Sequence, residues 1–279
     1  MTEEHKLIST MHEAAAHTEA HAELPNFITV LNHFFPHSGW VHFFETWENV
    51  LFSLFVIFLI GFAAIYTARK KSLIPEGLEN FCELVVEGIT AFVTGILGED
   101  GRKHVPFLGT LFLYILLMNW SGLIPFMKSP TSSWSTTMAL ALVVTAYVQY
   151  TGVREQGFSH YLKHMAGNPS NLFGLVLIPL MLVINLTIEF MAVPLSLSLR
   201  LFANVSSEDK LLFKFAELNV LFKGLPFLLQ LFANVLDIAF SLVQAFVFML
   251  LSTVYISLVS PHHEEENHGG EPHAASRAH

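Results

Sequence analysis

The stretch Ser196-Leu-Ser-Leu-Arg200-Leu-Phe-Ala-Asn204 places a permanently charged arginine at the end of a long apolar run. A charge at membrane depth is unfavourable, so an arginine in this setting usually marks the path of an ion or a substrate. On a helix that turns by about 100° per residue, a set of polar residues shares one face, within about 100° of arc: Glu189, Ser196, Arg200, Asn204 and Glu208. The spacing predicts one polar stripe on an otherwise apolar helix. In the alternative interpretation, Arg200 only ends a transmembrane helix and reaches up to the lipid headgroups.

The composition is typical of a polytopic membrane protein. Of the 279 residues, 53% are hydrophobic and 13% are charged, whereas a soluble domain has about 25% charged residues. The sequence contains no basic patch of the kind that binds nucleic acid. The single Cys82 excludes an internal disulfide and offers no thiolate cluster for a metal. The first apolar run begins near Val50, which is too late for a cleavable signal peptide.

The apolar runs predict an all-α fold with about five membrane-crossing helices and one interfacial helix. Residues 50–68, 105–127 and 134–153 are each long enough for one crossing. In segment 75–98, Glu79, Glu83 and Glu87 repeat every four residues opposite an apolar face. That pattern predicts an amphipathic helix along the membrane surface or against a partner protein.

The last two apolar segments are longer than a crossing requires. The run from residue 172 to about 208 would form a helix of about 55 Å, and residues 225–260 one of about 54 Å, whereas the hydrocarbon core is about 30 Å thick. Prolines at 179, 194 and 226 permit bends or breaks. We therefore expect residues 172–260 to form a long, steeply tilted helical hairpin.

The chain thus divides into three parts. Residues 1–49 are a His-rich polar and interfacial segment, residues 50–260 are the membrane domain, and residues 261–279 are expected to be a disordered polar tail.

The last helix carries a polar stripe of its own. Asn234, Asp237, Ser241 and Gln244 recur at steps of three, four and three residues and so share a helix face. An unpaired carboxylate such as Asp237 is unfavourable in lipid, so it must face water, a cation or a donor. Two polar stripes on successive helices predict an ion path. The alternative is that these groups only bond one another across the bundle.

These motifs resemble those of subunit a of the rotary F-type ATP synthases. The matching stretches are Pro194-Leu-Ser-Leu-Ser-Leu-Arg200-Leu-Phe-Ala-Asn204 and Leu242-Val-Gln244-Ala-Phe-Val-Phe-Met-Leu-Leu-Ser-Thr-Val-Tyr255. Asn119-Trp-Ser-Gly-Leu-Ile-Pro125 is similar to the family's second transmembrane region. The resemblance covers roughly residues 45–260. It implies an ion-translocating stator subunit of the F0 sector, in which two offset half-channels reach a carboxylate on a rotating ring of c subunits.

The resemblance assigns roles to the two polar stripes. Arg200 matches the arginine that separates the half-channels, and Gln244 matches the family's glutamine. Asn204 matches an asparagine of the same motif. Asp237 falls where the family often has a second titratable residue.

The remaining lining residues are implied less directly. Asp209 stands where the family commonly has an outer half-channel glutamate or histidine, but Glu208 is adjacent and closer to the arginine face, so both stay candidates. Glu189 and Ser196 are candidates for the inner half-channel, and Ser241 is a further lining candidate.

The implied protein partners are the c ring and the peripheral-stalk subunit b, within a lipid bilayer. The implied coupling ion is H⁺, with Na⁺ as the alternative, and no cofactor is expected. The chain has no glycine loop that would cradle ATP phosphates, so we expect it to be non-catalytic.

The positively charged residues predict the orientation in a bacterial inner membrane. With the N-terminus outside and the C-terminus cytoplasmic, the outside segments hold Lys6, Lys128, Lys210, Lys214 and Lys223. The inside segments then hold the larger set, which the positive-inside rule favours: Arg69, Lys70, Lys71, Arg102, Lys103, Arg154, Lys163 and Arg277.

Two other classes of protein are alternatives to this interpretation. A secondary transporter would bind substrate at a midplane site, but it usually has charges and interrupted helices in both halves, and here the charges crowd into the C-terminal third. A membrane metalloenzyme would need converging ligands. Only His160 and His164 have ligand spacing.

Overall fold

The computed structural model describes residues 43–44, 46–69, 77–124, 127–159, 161, 172–221 and 227–260. Within these ranges the regular structure is helical, without a strand, and includes six helices that are long and apolar enough to cross a membrane. The prediction of an all-α polytopic membrane protein is confirmed. His160, His164, the segment before residue 43 and the tail after residue 260 lie outside the described residues.

The described residues include seven longer α-helices, with short 3₁₀ and π segments between some of them. The α-helices are α1 (Glu48–Arg69), α2 (Leu78–Leu97), α3 (Val105–Ser121), α4 (Trp134–Gln156), α5 (Leu172–Thr187), α6 (Val193–Leu221) and α7 (Phe227–Val259). The 3₁₀ segments are Glu99–His104 and Pro130–Ser132, and the π segment is Ile188–Ala192. Gly98 and Gly157 follow α2 and α4 with φ of 72° and 79°, a conformation that favours glycine at a helix end.

The first helical run of the predicted hairpin is longer than the sequence indicated, and the second has about the predicted length. Helix α5, the π turn and α6 form one helical run from Leu172 to Leu221, about 75 Å long at 1.5 Å per residue. Helix α7 has 33 residues, which corresponds to about 50 Å. Their steep tilt in the membrane stays a prediction.

A proline accounts for the π turn in the middle of the long run. Pro194 has no backbone N–H, and in a regular α-helix its ring would clash with the carbonyl of Phe190. The wider turn at Ile188–Ala192 accommodates it without breaking the helix.

The core forms where α3, α4, α6 and α7 meet. Helix α4 packs mainly against α6, and α3 against α7. The largest fully buried side chains include Leu108, Ile115, Leu201, Phe248 and Ile256. Large apolar side chains cover much of the outer surface, as they do in proteins surrounded by lipid.

Helix α2 packs part of its apolar face against the chain's own core. Ile89 and Val93 are buried, and the Phe92 ring lies 4.9 Å from the Phe246 ring of α7. On the opposite side Glu83 and Glu87 are exposed. The predicted amphipathic helix is therefore present, and its packing partner includes this chain. Its location along the membrane surface stays a prediction.

The connection from α3 to α4 is fixed by buried hydroxyl groups. Thr131 Oγ1 donates to Asn119 Oδ1 at 2.6 Å, and Ser129 Oγ donates to the Met118 carbonyl at 3.1 Å. The Asn119 side chain thus bonds the linker between the two helices. Ser206 Oγ of α6 donates to the Ser132 carbonyl at 3.2 Å, which ties this linker to the long helix.

Candidate ion pathway

Helix α6 turns Arg200 away from the core. Leu197, Leu201 and Val205 recur every four residues and are buried against the bundle. Arg200 lies on the exposed side of the same turns. Within the described ranges its guanidinium makes no hydrogen bond or ion pair. The chain therefore presents a permanently charged group to whatever lies beside α6.

A cavity of about 540 Å³ lies between the C-terminal half of α6 and the N-terminal half of α7. We call it the Glu208 cavity. Apolar side chains form most of its wall, and its polar lining consists of Asn204, Ser207, Glu208, Asp237 and Gln244. Part of each polar stripe predicted from the sequence lies here: Asn204 and Glu208 of α6, and Asp237 and Gln244 of α7.

The Glu208 and Asp237 side chains are neighbours in the wall of this cavity. Two neighbouring carboxyl groups can share a hydrogen bond when one of them carries a proton. Ser241 Oγ donates to Asp237 Oδ1 at 3.4 Å, a long hydrogen bond. The cavity wall thus holds a pair of groups that can take up, share and release a proton.

Asp209 differs from its neighbour. It is half-buried but does not line the cavity, whereas Glu208 does. The two candidates that the sequence left open are therefore in different surroundings.

Between Arg200 and the carboxyl pair, α6 and α7 are joined by an amide pair. Asn204 Nδ2 donates to Gln244 Oε1 at 2.7 Å. Gln244 is buried, and its Nε2 has no hydrogen-bond partner among the described residues. Buried donors in native proteins nearly always have a partner, so this position requires an acceptor such as a water or a group from another chain.

A second, smaller cavity of about 170 Å³ lies near the other end of α7, among α4, the π turn and α7. We call it the Glu189 cavity. Its polar lining includes Gln149, Glu189 and Tyr255. Gln149 Nε2 donates to Glu189 Oε2 at 2.8 Å, and the Tyr161 hydroxyl donates to the same oxygen at 2.9 Å. Burial, reinforced by the Glu189 carboxylate, raises the pKa of Tyr161, so its hydroxyl keeps its proton and acts as a donor.

The π turn divides the single stripe that helical spacing predicted. A π turn holds about one residue more than an α turn, which rotates the preceding residues by about 100° relative to an unbroken helix. Glu189 accordingly contacts α4, whereas Asn204 and Glu208 face α7. Ser196 is exposed and lines neither cavity.

Arg200 lies between the two cavities along the long helix. It follows Glu189 by eleven residues and precedes Glu208 by eight, about 16 Å and 12 Å of helix. The carboxylates of the two cavities are thus on opposite sides of the exposed arginine.

Sequence reasoning missed Gln149 and Tyr161. Gln149 is an amide within the apolar run of α4, and an amide in such a run indicates a polar contact with a neighbouring helix. Tyr161 gave no such signal, because it follows the helix in a polar segment.

Comparison with known proteins identifies the family. A sequence profile described as ATP synthase A chain matches residues 50–257. A protein named ATP synthase subunit a from Protochlamydia amoebophila is 44% identical over 88% of this chain and 91% of the relative. Proteins of the same name from Solidesulfovibrio magneticus and Helicobacter acinonychis are 39% and 36% identical, over 75% and 77% of this chain and 82% and 89% of each relative. By its sequence, its helices and its paired polar stripes, the chain belongs to the ATP synthase A chain family.

Proposed function

We propose that this chain is the ion-translocating stator subunit of the membrane sector of an ATP synthase. Family membership supports this role. The observation that carries it is the arrangement of two separate carboxylate-lined cavities with an exposed arginine between them on one helix. The Glu208 cavity is the outer half-channel, and the Glu189 cavity is the inner half-channel.

In this mechanism Arg200 faces the ring of c subunits. A guanidinium cannot lose its proton in a protein, so its charge persists at every pH at which the enzyme works. It attracts the ring carboxylate and favours its ionised form. A free cation that moved directly from one cavity to the other would meet repulsion in a low dielectric. Ions must therefore pass by way of the rotating ring.

The residues of the Glu208 cavity transfer the ion between the outside and the ring. A cavity of about 540 Å³ has room for more than ten waters. The Glu208–Asp237 pair passes a proton from this water towards Asn204 and Gln244. The free Nε2 of Gln244 donates to the ring carboxylate or to a water beside it.

On the other side of Arg200, Glu189 receives or delivers the proton at the inner half-channel. Two donated hydrogen bonds hold its carboxyl group at the wall of the cavity.

The chain does not make or hydrolyse ATP itself; a separate soluble sector does so. Its partners are the c ring and the peripheral-stalk subunit b, its coupling ion is H⁺, and it lies in a bacterial inner membrane with its N-terminus outside and its C-terminus in the cytoplasm. The six apolar helices and the family support this assignment.

The test is ATP-driven acidification of inverted membrane vesicles that hold the whole complex. Arg200→Ala should abolish acidification, and passive proton leak, measured after removal of the soluble sector, should persist or rise. Arg102→Ala is the matched control, since Arg102 is also exposed but lines neither cavity. If Arg200→Ala pumped like the control, Arg200 would be only an anchor at the lipid surface and the mechanism would be wrong.

A further inference from the structure

The chain that follows α4 returns to contact the carboxylate of Glu189. Tyr161 is only 5% exposed, although it lies just beyond the helix end. Its hydroxyl contacts both Glu189 Oε2 and Gln149 Oε1. A hydroxyl carries one hydrogen, so it donates to one of these acceptors at a time. An ionised carboxylate is the stronger acceptor, and the amide is the alternative when Glu189 is protonated.

The position of the Tyr161 ring depends on a glycine of α4. A Cβ added at Gly152 would lie 2.8 Å from Tyr161 Cε2 and 3.2 Å from Val259 Cβ. Real carbon atoms essentially never approach as closely as the first of these distances, so any side chain at position 152 would displace the ring. Gly152 is part of α4 and has no positive φ, so the reason for glycine here is close packing and not backbone conformation.

We propose that Tyr161 is a positioning residue for Glu189: with the Gln149 amide, its hydroxyl holds the carboxylate at the wall of the Glu189 cavity, in the position from which it exchanges protons. This inference rests on the proposed function of the cavity as the inner half-channel. Among the described residues, the titratable groups that face Glu189 are Tyr161 itself and Tyr255 of α7, which lines the same cavity; Gln149 of α4 carries no charge.

Loss of the Tyr161 hydroxyl removes one of the two donors that hold the Glu189 carboxylate, and the Gln149 donor remains. A positioned group transfers protons efficiently only over a limited pH range, so we expect Tyr161→Phe to shift the pH dependence of the flux.

The experiment measures passive proton flux out of inverted vesicles that contain the whole complex, after removal of the soluble sector. A potassium diffusion potential drives the flux, and the pH of the medium, which faces the inner side, is varied. Tyr161→Phe removes the hydroxyl and keeps the ring, whereas Gly152→Ala keeps the hydroxyl and displaces the ring. Tyr150→Phe is the matched control, because Tyr150 is exposed on α4 and only accepts a 3.4 Å hydrogen bond from Arg154.

The inference stands if Tyr161→Phe and Gly152→Ala both shift the pH midpoint of the flux and Tyr150→Phe does not. A flux that falls equally at every pH, with an unchanged midpoint, would show that Tyr161 only packs, and would overturn the inference. Failure of the proposed function is a different result: wild-type vesicles would then show no flux, or Arg200→Ala would pump normally in the acidification assay.

Discussion

Glu208 and Asp209 are adjacent acidic residues on α6, and the structure predicts very different roles for them. We expect Glu208→Gln to lower ATP-driven proton pumping at least tenfold, and Asp209→Asn to lower it by less than about fivefold. Glu208 lines the cavity beside Asp237, whereas Asp209 does not line it. Each substitution replaces one carboxylate by its amide, so a difference between them reports position and not charge alone.

The size of the Glu208 effect follows from what its carboxyl group does. The cavity of about 540 Å³ can hold a chain of waters, so the carboxyl is not needed to span it. Under the proposed function it passes a proton to Asp237, and a positioned acid or base accelerates such a transfer by about 10²- to 10⁴-fold. Only part of that loss reaches the overall rate where another step, such as rotation, is slower. A tenfold decrease is therefore the minimum that we expect.

The Asp209 effect has a lower ceiling. Asp209 acts on the cavity only through its electric field, because it is not part of the cavity wall. A partly exposed charge usually contributes about 0 to 1 kcal/mol, which corresponds to at most about fivefold in a rate. Asp209→Asn is thus a same-helix control for the loss of a negative charge.

The assay is acidification of inverted vesicles, followed with a pH-sensitive dye and normalised to the amount of assembled complex and its ATPase activity. A tenfold loss in Asp209→Asn with pumping retained in Glu208→Gln would refute the assignment of the proton relay from the cavity. An equal loss in both variants would also refute it, since the cavity wall would then not distinguish the two residues.

Two further predictions concern other polar contacts. Asp237→Asn should slow pumping without raising passive leak, because it changes a cavity wall and leaves Arg200 in place; the same vesicles, stripped of the soluble sector, report the leak, and a leaky variant would contradict this role. Thr131→Val should lower the denaturation midpoint of the complex in detergent by the equivalent of about 1 to 3 kcal/mol. Asn119 Oδ1 loses its donor in this variant, and Asn119 Nδ2 already lacks a partner among the described residues. Ser135→Ala, at an exposed hydroxyl of α4, is its control, and equal midpoints for the two variants would count against a stabilising role of the buried network.

Hydrophobic periodicity was enough to predict the helices. Runs that are apolar all round predicted α1, α3 and α4, and the four-residue repeat of glutamates predicted the exposed side of α2. These signals are local, since each comes from the requirement that a helix bury its backbone polar groups and match its surface to its surroundings. The core partner of α2 could not be predicted, because it depends on which distant helix meets its apolar face.

The polar site was predicted only where the helix is regular. Asp237, Ser241 and Gln244 are all buried on one face of α7, as their spacing indicated. Regular helical spacing placed Glu189 on the same face as Arg200. The π turn between them rotates Glu189 to a different face, so that part of the prediction was wrong. Pro194 was visible as a possible bend, but a proline can kink a helix, end it or widen a turn, and the sequence alone does not choose among these outcomes.

The contacts that hold Glu189 were out of reach of sequence reasoning for another reason. Gln149 precedes Glu189 by 40 residues and Tyr161 precedes it by 28, and neither has a helical spacing to it. Only the packing of α4 beside the π turn brings the three side chains together. The choice between Glu208 and Asp209 likewise required the actual rotation of α6, because neighbouring residues on a helix differ by only about 100°.

Arg200 is the point at which the chain by itself is electrostatically incomplete. In the described part of the molecule Glu189 accepts two hydrogen bonds and the Glu208–Asp237 pair can share a proton, whereas Arg200 has no polar partner. A carboxyl group can become neutral in lipid, but a guanidinium cannot. Under the proposed function the partner of Arg200 is each ring carboxylate in turn. Such a partner must also be able to leave. Two unit charges 4 Å apart attract by about 4 kcal/mol at an effective dielectric constant of 20, and about five times more strongly at a constant of 4. A carboxylate that has to pass the arginine during rotation thus requires it on an exposed face beside water-accessible cavities, which is where α6 holds it, and not in a dry pocket from which the pair could not separate.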